Sequence, residues 1–190
     1  AERSTAQEPA GHIVVGMPPS IAYLVAPGLV EHVRREFPKV NLRIIEGLSV
    51  FLLEWLMLRR LDLAVLTGGE TIKGAVKTHL ADQEMVLAGR RDIIAGFGRS
   101  IPFRALTTTG ILITHGFRAL VDQAAATASV ALTYDMEVDS LPVIKQMVIE
   151  GVGLSILPYA SVLREHVEGT LSICRITEPP IIRRLYLTES

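Results

Sequence analysis

The chain has 190 residues, of which 49% are apolar and 21% are charged. This is enough to bury a core as one domain or two compact subdomains, and it excludes a disordered chain. The net charge of −1 argues against a nucleic-acid-binding segment, because such segments carry a clustered basic face. The single cysteine, Cys174, excludes an internal disulfide, and no cluster has metal-ligand spacing, so neither metal nor cofactor is expected. The cysteine usage predicts a reducing, cytoplasmic setting.

The apolar segments are too short to predict a membrane span. The longest of them, residues 48–58, contains Glu54, whereas a span needs about 18 consecutive apolar residues. Residues 1–10 are polar and lack the basic-then-apolar order of a secretion signal. We expect them to be the end of a linker.

The first predicted element is a buried strand over residues 11–16, which runs into a helix start. Its β-branched residues lie between glycines, and Pro18 and Pro19 end the strand because proline has no N–H for the ladder. Ser20 then occupies the position of a helix N-cap. A strand that ends at a helix N-terminus offers amides to an anion, so this junction is a candidate ligand site.

The next elements alternate between helix and strand. Apolar residues at intervals of four predict a helix over residues 20–36, which Pro27 should bend or restart. A strand over 41–46, a helix over 50–60 that is apolar nearly all round, and a strand over 61–66 follow. This order predicts right-handed βαβ units and a parallel sheet.

The second half of the chain begins the alternation again. Residues 76–89 are predicted to be extended and are followed by a loop rich in Gly and Arg up to residue 100. The remaining predicted elements are a strand at 110–114, a helix at 117–127, an extended segment at 130–138, a helix at 141–150, a strand at 151–158, a helix at 160–166 and strands at 171–176 and 181–188. The restart at Gly110 predicts two similar α/β subdomains.

Several stretches together resemble the regulatory, effector-binding half of LysR-type transcriptional regulators. The stretches are GHIVVG at 11–16, EFP at 36–38, LDLAV at 61–65, EVDSL at 137–141, EGVG at 150–153 and LSILP at 154–158. The resemblance runs from Gly11 to Thr188. It implies an α/β fold with two Rossmann-like subdomains joined by two crossover segments, like a type II periplasmic binding protein. Subdomain I would comprise residues 11–85 and 160–190, and subdomain II residues 86–159, with crossings near 83–88 and 157–160.

The resemblance also implies where a small-molecule effector would bind, namely in the cleft between the subdomains at strand ends that face helix N-termini. The residues carried over by position are Pro19, Ser20, Ser49, Thr67, Gly68, Thr114, His115, Asp135 and Met136. Several of these also have a structural interpretation, because Ser20 and Ser49 suit helix caps and strand-end threonines can simply bind nearby amides.

The class of effector stays open from the sequence. His115 suits an acidic effector or a pH-sensitive role, although a lone loop histidine is more often solvated. Asp135 opposes an anion by charge. The resemblance implies a small organic acid or another anion as effector. Pro18 lies where relatives often have a hydroxyl residue, which argues against a strong anion site. A smaller or more apolar effector is therefore an alternative.

The resemblance finally implies the partners. Family members form side-by-side antiparallel homodimers, and tetramers in the full-length protein, and they bind DNA through a winged helix-turn-helix that we expect to precede this segment. No enzyme motif occurs: residues 11–16 do not read G-x-G-x-x-G, no serine stands in G-x-S-x-G, and Cys174 is predicted to be a buried, inert thiol. The alternative function is a stand-alone solute-binding receptor of a transporter, which shares the two-lobed fold.

Overall fold

The computed structural model describes residues 8–68 and 73–190, and the chain divides into two compact units. The first unit comprises the described residues up to His79 together with Tyr186–Ser190, and the second comprises Leu80–Leu185. The predicted pair of α/β subdomains is confirmed. The chain passes from the first unit to the second within one strand and returns within another.

The first unit is a βαβαβ arrangement, as the sequence predicts. Its elements are β1 (Ala10–Met17), α1 (Pro19–Glu36), β2 (Lys39–Glu46), α2 (Ser49–Met57) and β3 (Leu63–Thr67). Strand β1 pairs in parallel with β2 along its whole length and with β3 through Val15 and Gly16. The three strands therefore end at the same edge, next to the starts of α1 and α2.

Helix α1 differs from its prediction at two points. It begins at Pro19, with Pro18 as N-cap and no side-chain cap hydrogen bond, so the prediction that Ser20 is the N-cap is wrong. The fixed φ of proline suits the first helical position, which moves the start of the helix toward the N-terminus. The helix also continues through Pro27 instead of restarting there. Pro27 has no N–H to donate to the carbonyl one turn earlier in the helix. Because Pro27 is exposed, water can donate to that carbonyl instead.

Helix α2 packs on β3 through two fully buried leucines. Leu52 and Leu56 contact Leu61, Ala64 and Leu66 in one apolar cluster. Gly16 is required at this contact, because a Cβ there would lie 2.5 Å from Leu61 Cδ1 and 2.8 Å from Leu52 Cδ2. The helix is capped by Leu48 rather than by Ser49, and it ends at Met57, three residues before the predicted end.

The second unit contains a mixed sheet with helices at its strand ends. Its elements are β4 (Val76–Gly89, which begins in the first unit), α3 (Arg91–Ile94), 3-10 helices at Ala95–Phe97 and Phe103–Thr108, β5 (Ser100–Pro102), β6 (Ile111–Ile113), α4 (His115–Thr127), β7 (Tyr134–Glu137), α5 (Leu141–Ile149), β8 (Leu154–Pro158), α6 (Tyr159–Glu168), β9 (Ser172–Thr177) and β10 (Ile182–Glu189, which ends in the first unit). Strand β6 is parallel to β7 and β8, whereas β4 is antiparallel to β8 and β9. The predicted loop before residue 100 instead contains α3 and a 3-10 helix.

The boundaries of the units differ from those that the sequence predicted. Residues 160–185 belong to the second unit, because β9 pairs with β4 from Val86 to Gly89 and because Val162 and Cys174 are part of the second core. Burial raises the pKa of the Cys174 thiol, in agreement with the prediction of a buried cysteine. No helix within the described residues has the length and apolar character needed to cross a membrane.

Candidate functional site

The strand ends of the first unit bring two of the predicted residues together. Ser49 begins α2 and Thr67 ends β3, and their hydroxyl oxygens are 3.0 Å apart. The Thr67 N–H also donates to Ser49 Oγ, at 3.2 Å. Both side chains are partly buried, so the pair presents hydroxyl groups at one point of the sheet edge. Such a pair can donate to and accept from a polar ligand.

The turn between β1 and α1 holds Pro19 and Ser20. Ser20 is only 2% exposed and is the second residue of α1. Pro19 has no N–H, and the N–H groups of Ile21 and Ala22 both donate to the Pro18 carbonyl at 2.9 Å. The turn therefore has fewer amides for an anion than the sequence suggested.

A lysine that the sequence did not indicate lies beside Gly68. Gly68 follows Thr67 with φ +92°, a backbone conformation that favours glycine. Lys77 Nζ donates to the Gly68 carbonyl at 2.6 Å and lies 4.5 Å from the centroid of the Tyr186 ring. A cation is thus held one residue from the hydroxyl pair, where it can attract an anionic ligand.

In the second unit, the N-terminal turn of α4 holds Thr114 and His115. Thr114 is the N-cap and is 7% exposed, without a side-chain cap bond. The His115 N–H donates to Asp139 Oδ1 at 3.1 Å, so a carboxylate of the protein already occupies the start of this helix. The imidazole Nδ1 lies 3.2 Å from Glu137 Oε1 on the exposed side of the turn. This exposed side is acidic and does not favour an anion.

Glu137 belongs to a surface network that joins α4 to β7. Arg118 Nη1 donates to Glu137 Oε2 at 3.0 Å, and Arg118 lies over the ring of Tyr134 at 4.3 Å. The Tyr134 hydroxyl donates to Asp122 Oδ1 at 2.5 Å, and burial together with this bond raises the pKa of Tyr134. The hydrogen bond from Arg118, assisted by His115, lowers the pKa of Glu137.

Substitution of Glu137 by Gln is expected to destabilise the protein at neutral pH but not in acid. Because the pKa of Glu137 is lowered on folding, its contribution is complete above the ordinary carboxyl range of about 4 and is lost as the pH falls through the lowered value. Melting temperatures of wild type and Glu137→Gln between pH 7 and pH 2 check this. Equal separation of the two melting curves at every pH would contradict it.

The remaining predicted residues, Asp135 and Met136, lie in β7. The Asp135 carboxylate occupies the space next to Gly110, where a side chain on residue 110 would collide with it. Met136 pairs with Leu112 across the parallel ladder and is 49% exposed. Only the Glu137 end of β7 lies beside His115, whereas Asp135 lies beside Gly110 at the start of β6, so the structure does not bring Asp135 together with Thr114 and His115.

Arg183 is a buried arginine that the sequence analysis did not single out. It lies in β10, is 4% exposed, and burial lowers its pKa to about 10. Buried and exposed residues alternate along the start of β10, so Arg183 and Leu185 lie on the same buried face. The spacing of two residues from Leu185 could have indicated that Arg183 is buried. Among the described residues, no group of three or more His, Cys, Asp or Glu side chains is arranged to hold a metal ion.

This architecture is similar to that of solved effector-binding and regulatory domains. The effector-binding domain of QuiR in complex with shikimate superimposes with a TM-score of 0.83 at 20% identity, covering 95% of this chain and 88% of that one. The regulatory domain of Synechocystis PCC6803 CcmR in complex with 2-PG gives 0.84 at 21% identity, covering 94% and 87%. The fold is therefore that of LysR-type regulatory domains, a type II periplasmic-binding-protein-like fold.

The LysR substrate binding domain family matches residues 6–188. The chain belongs to this family, which confirms the resemblance seen in the sequence. The probable hydrogen peroxide-inducible genes activator of Streptomyces viridosporus is 30% identical over 184 residues, which cover 93% of this chain and 58% of that protein. The chain thus spans less than two thirds of the length of this relative.

Proposed function

We propose that this chain is the effector-sensing part of a DNA-binding transcriptional regulator of the LysR type. The observation that carries the proposal is the hydroxyl pair of Ser49 and Thr67, 3.0 Å apart at the strand ends of a domain of this family. Ligands of open α/β sheets bind at the carboxyl ends of the strands. Similar domains are known in complex with shikimate and with 2-PG.

The effector would contact the predicted residues of both units. In the first unit these are Pro19, Ser20, Ser49, Thr67 and Gly68, and in the second they are Thr114, His115, Asp135 and Met136. A ligand that binds one arrangement of the units more tightly than another shifts the population toward it. We infer that this shift changes the position of the DNA-binding part of the regulator, which lies outside residues 1–190. The protein would act in the cytoplasm.

The single cysteine argues against peroxide sensing by a thiol, despite the name of the relative. Cys174 is fully buried in the core of the second unit, and burial raises its pKa, which keeps the thiol protonated and unreactive. A disulfide within the chain is impossible with one cysteine. These properties favour an effector that binds without a covalent bond to the protein. The names of the relatives do not favour the alternatives of a transport receptor or an enzyme.

The chain also has surfaces suited to the homodimer that the family resemblance implies. Tyr23, Leu24 and Val25 are exposed on α1, beside the edge strand β2. In the second unit, β7 is an edge strand. An isologous dimer that pairs α1 and β2 of one protomer with the second unit of the partner would cover the exposed apolar residues of α1.

Replacement of Thr67 by Val is expected to weaken effector binding about 3- to 10-fold, because it removes one hydroxyl hydrogen bond. The probes are shikimate, benzoate and succinate, their neutral amides or esters, and putrescine. A compound at 100 times its Kd should raise the Tm of the wild-type chain by about 5–10 °C.

Thr107→Val is the matched control, because Thr107 also makes one hydroxyl hydrogen bond, at 3.0 Å to the Arg104 carbonyl, away from the strand ends. Its ligand affinity should equal that of wild type in calorimetric titrations. Equal affinities of the two valine variants, or no shift with any probe, would contradict the proposed function.

A further inference from the structure

Helix α2 has an apolar outer face as well as an apolar inner one. The inner face carries Leu52 and Leu56, which are fully buried in the core of the first unit. The outer face consists of four apolar residues that are each between 43% and 64% exposed, namely Val50, Phe51, Met57 and Leu58. The first and third of these are two helical turns apart, as are the second and fourth, so the four side chains form one stripe. We name this stripe the α2 face.

The α2 face carries one acidic residue at its centre and two basic residues at its end. Glu54 is exposed and lies one turn from each of the four apolar residues. Arg59 and Arg60 directly follow Leu58, and both are exposed. The Arg60 N–H donates to the carbonyl of Trp55 at 2.8 Å, so the chain folds back against the last turn of the helix. Within residues 8–68 and 73–190, none of these three charged side chains forms an ion pair.

The α2 face and helix α1 lie on opposite sides of the sheet of the first unit. Strand β1 lies between β2 and β3, so the connection through α1 leads to one neighbour of β1 and the connection through α2 crosses back to the other. Two right-handed connections that run in opposite directions place their helices on opposite faces of a sheet. A contact that covers α1 therefore does not cover the α2 face.

We propose that the α2 face binds the α2 face of a second copy of this chain, with the two helices antiparallel. In a contact with two-fold symmetry, each pair of residues that meets across the interface occurs twice. With the symmetry axis near the last turn of α2, Glu54 of each copy lies next to Arg59 and Arg60 of the other. Met57 and Leu58 then lie at the centre of the contact. The apolar side chains cover one another, and each unpaired charge gains a neighbour of opposite sign.

The size of the α2 face indicates how strong this contact should be. The face belongs to a helix of nine residues, whereas a stable interface has about 20–30 residues on each side. Copies that are joined only through this face should therefore be in equilibrium with separate ones, and the equilibrium should depend on chain concentration. The contact is a matter of assembly, and it forms whether or not an effector binds.

Reversal of charge on either side of the contact tests the proposal. Glu54→Arg places like charges together at both ends of the two-fold contact, and so does Arg59→Glu/Arg60→Glu. Each variant should associate about 10- to 100-fold more weakly than wild type, because two attractions become two repulsions. Sedimentation equilibrium at several chain concentrations measures the association constants. High ionic strength should reduce the difference, since salt screens exposed charges.

A mixture of the two variants distinguishes a second copy from any other partner. In a mixed contact, the arginine introduced at position 54 meets the glutamates introduced at positions 59 and 60. At the other end of the same contact, Arg59 and Arg60 of the first variant meet Glu54 of the second. The mixture should therefore associate at least as strongly as wild type, although each variant alone does not. Glu178→Arg is the matched control, because it makes the same change of charge on an exposed side chain of the second unit. It should associate as wild type does.

Glu54→Gln keeps the test valid if a reversed charge disturbs folding. This exposed substitution should leave the melting curve unchanged, and loss of the two ion pairs should weaken association about 3- to 5-fold. An average molar mass of wild type that equals those of Glu54→Gln and of both reversal variants at every concentration would overturn the proposal. It would also be overturned if the mixture of folded reversal variants associated no better than each one alone.

Discussion

Glu165→Leu is expected to lower the free energy of unfolding by about 3–5 kcal/mol, the cost of leaving a buried charge without its partner. Lys145 Nζ lies 2.6 Å from Glu165 Oε1 and 2.8 Å from the Ser161 carbonyl, and the two side chains are 9% and 15% exposed. The pair joins α5 to α6 inside the second unit. Without the carboxylate, the buried ammonium group would lose Glu165 as its charged partner. Urea unfolding followed by circular dichroism measures the change.

The double variant Lys145→Met/Glu165→Leu separates charge from packing. Replacing both members by apolar side chains removes the unneutralised charge, so most of the lost stability should return. Glu168→Gln on the same helix is the control. Its carboxylate accepts from Arg164 Nε at 2.9 Å in a pair whose side chains are 74% and 50% exposed, and such pairs contribute about 0.3–0.5 kcal/mol. A double variant as unstable as Glu165→Leu would refute the explanation by charge.

Leu56→Ala is expected to cost about 2–5 kcal/mol in the first unit. The side chain is fully buried between α2 and β3, and its removal leaves a cavity against Leu52, Leu61 and Leu66. The same contact holds Ser49 against Thr67, because these two residues belong to α2 and β3. We therefore expect weaker effector binding as well as lower stability, measured by thermal melting and titration.

Leu58→Ala provides a control with the same chemical change two residues along the chain. Leu58 follows the end of α2 and is 56% exposed, so its truncation creates no internal cavity. Its free energy of unfolding should stay within about 0.5 kcal/mol of wild type, as for most surface substitutions. A similar loss for both leucines would show that Leu56 is not the anchor of α2.

The alternation of helices and strands was predictable because each element carries its own periodic pattern. The parallel pairing of β1 with β2 and β3 followed from the βαβ order alone. The start of α1 was not predictable from the preference for serine caps, since the proline next to Ser20 has a stronger effect on backbone geometry. The return to the first unit was predicted too early, because the pairing of β9 with β4 joins segments about 90 residues apart.

The candidate site was predicted only where it depends on strand ends. Ser49 and Thr67 are brought together by the parallel ladder, which any βαβ unit produces. Lys77 depends instead on its contact with Tyr186, more than 100 residues away along the chain.

The way the chain crosses between its units has a consequence for protein engineering. The second unit is one uninterrupted stretch, Leu80–Leu185, whereas the first is completed by Tyr186–Ser190 from the far end of the sequence. In topological terms the second unit is an insertion into the first. A cut or a truncation near residue 186 should therefore damage the unit that begins at the opposite end of the sequence. A reporter domain exchanged for residues 80–185 would leave the segments of the first unit intact.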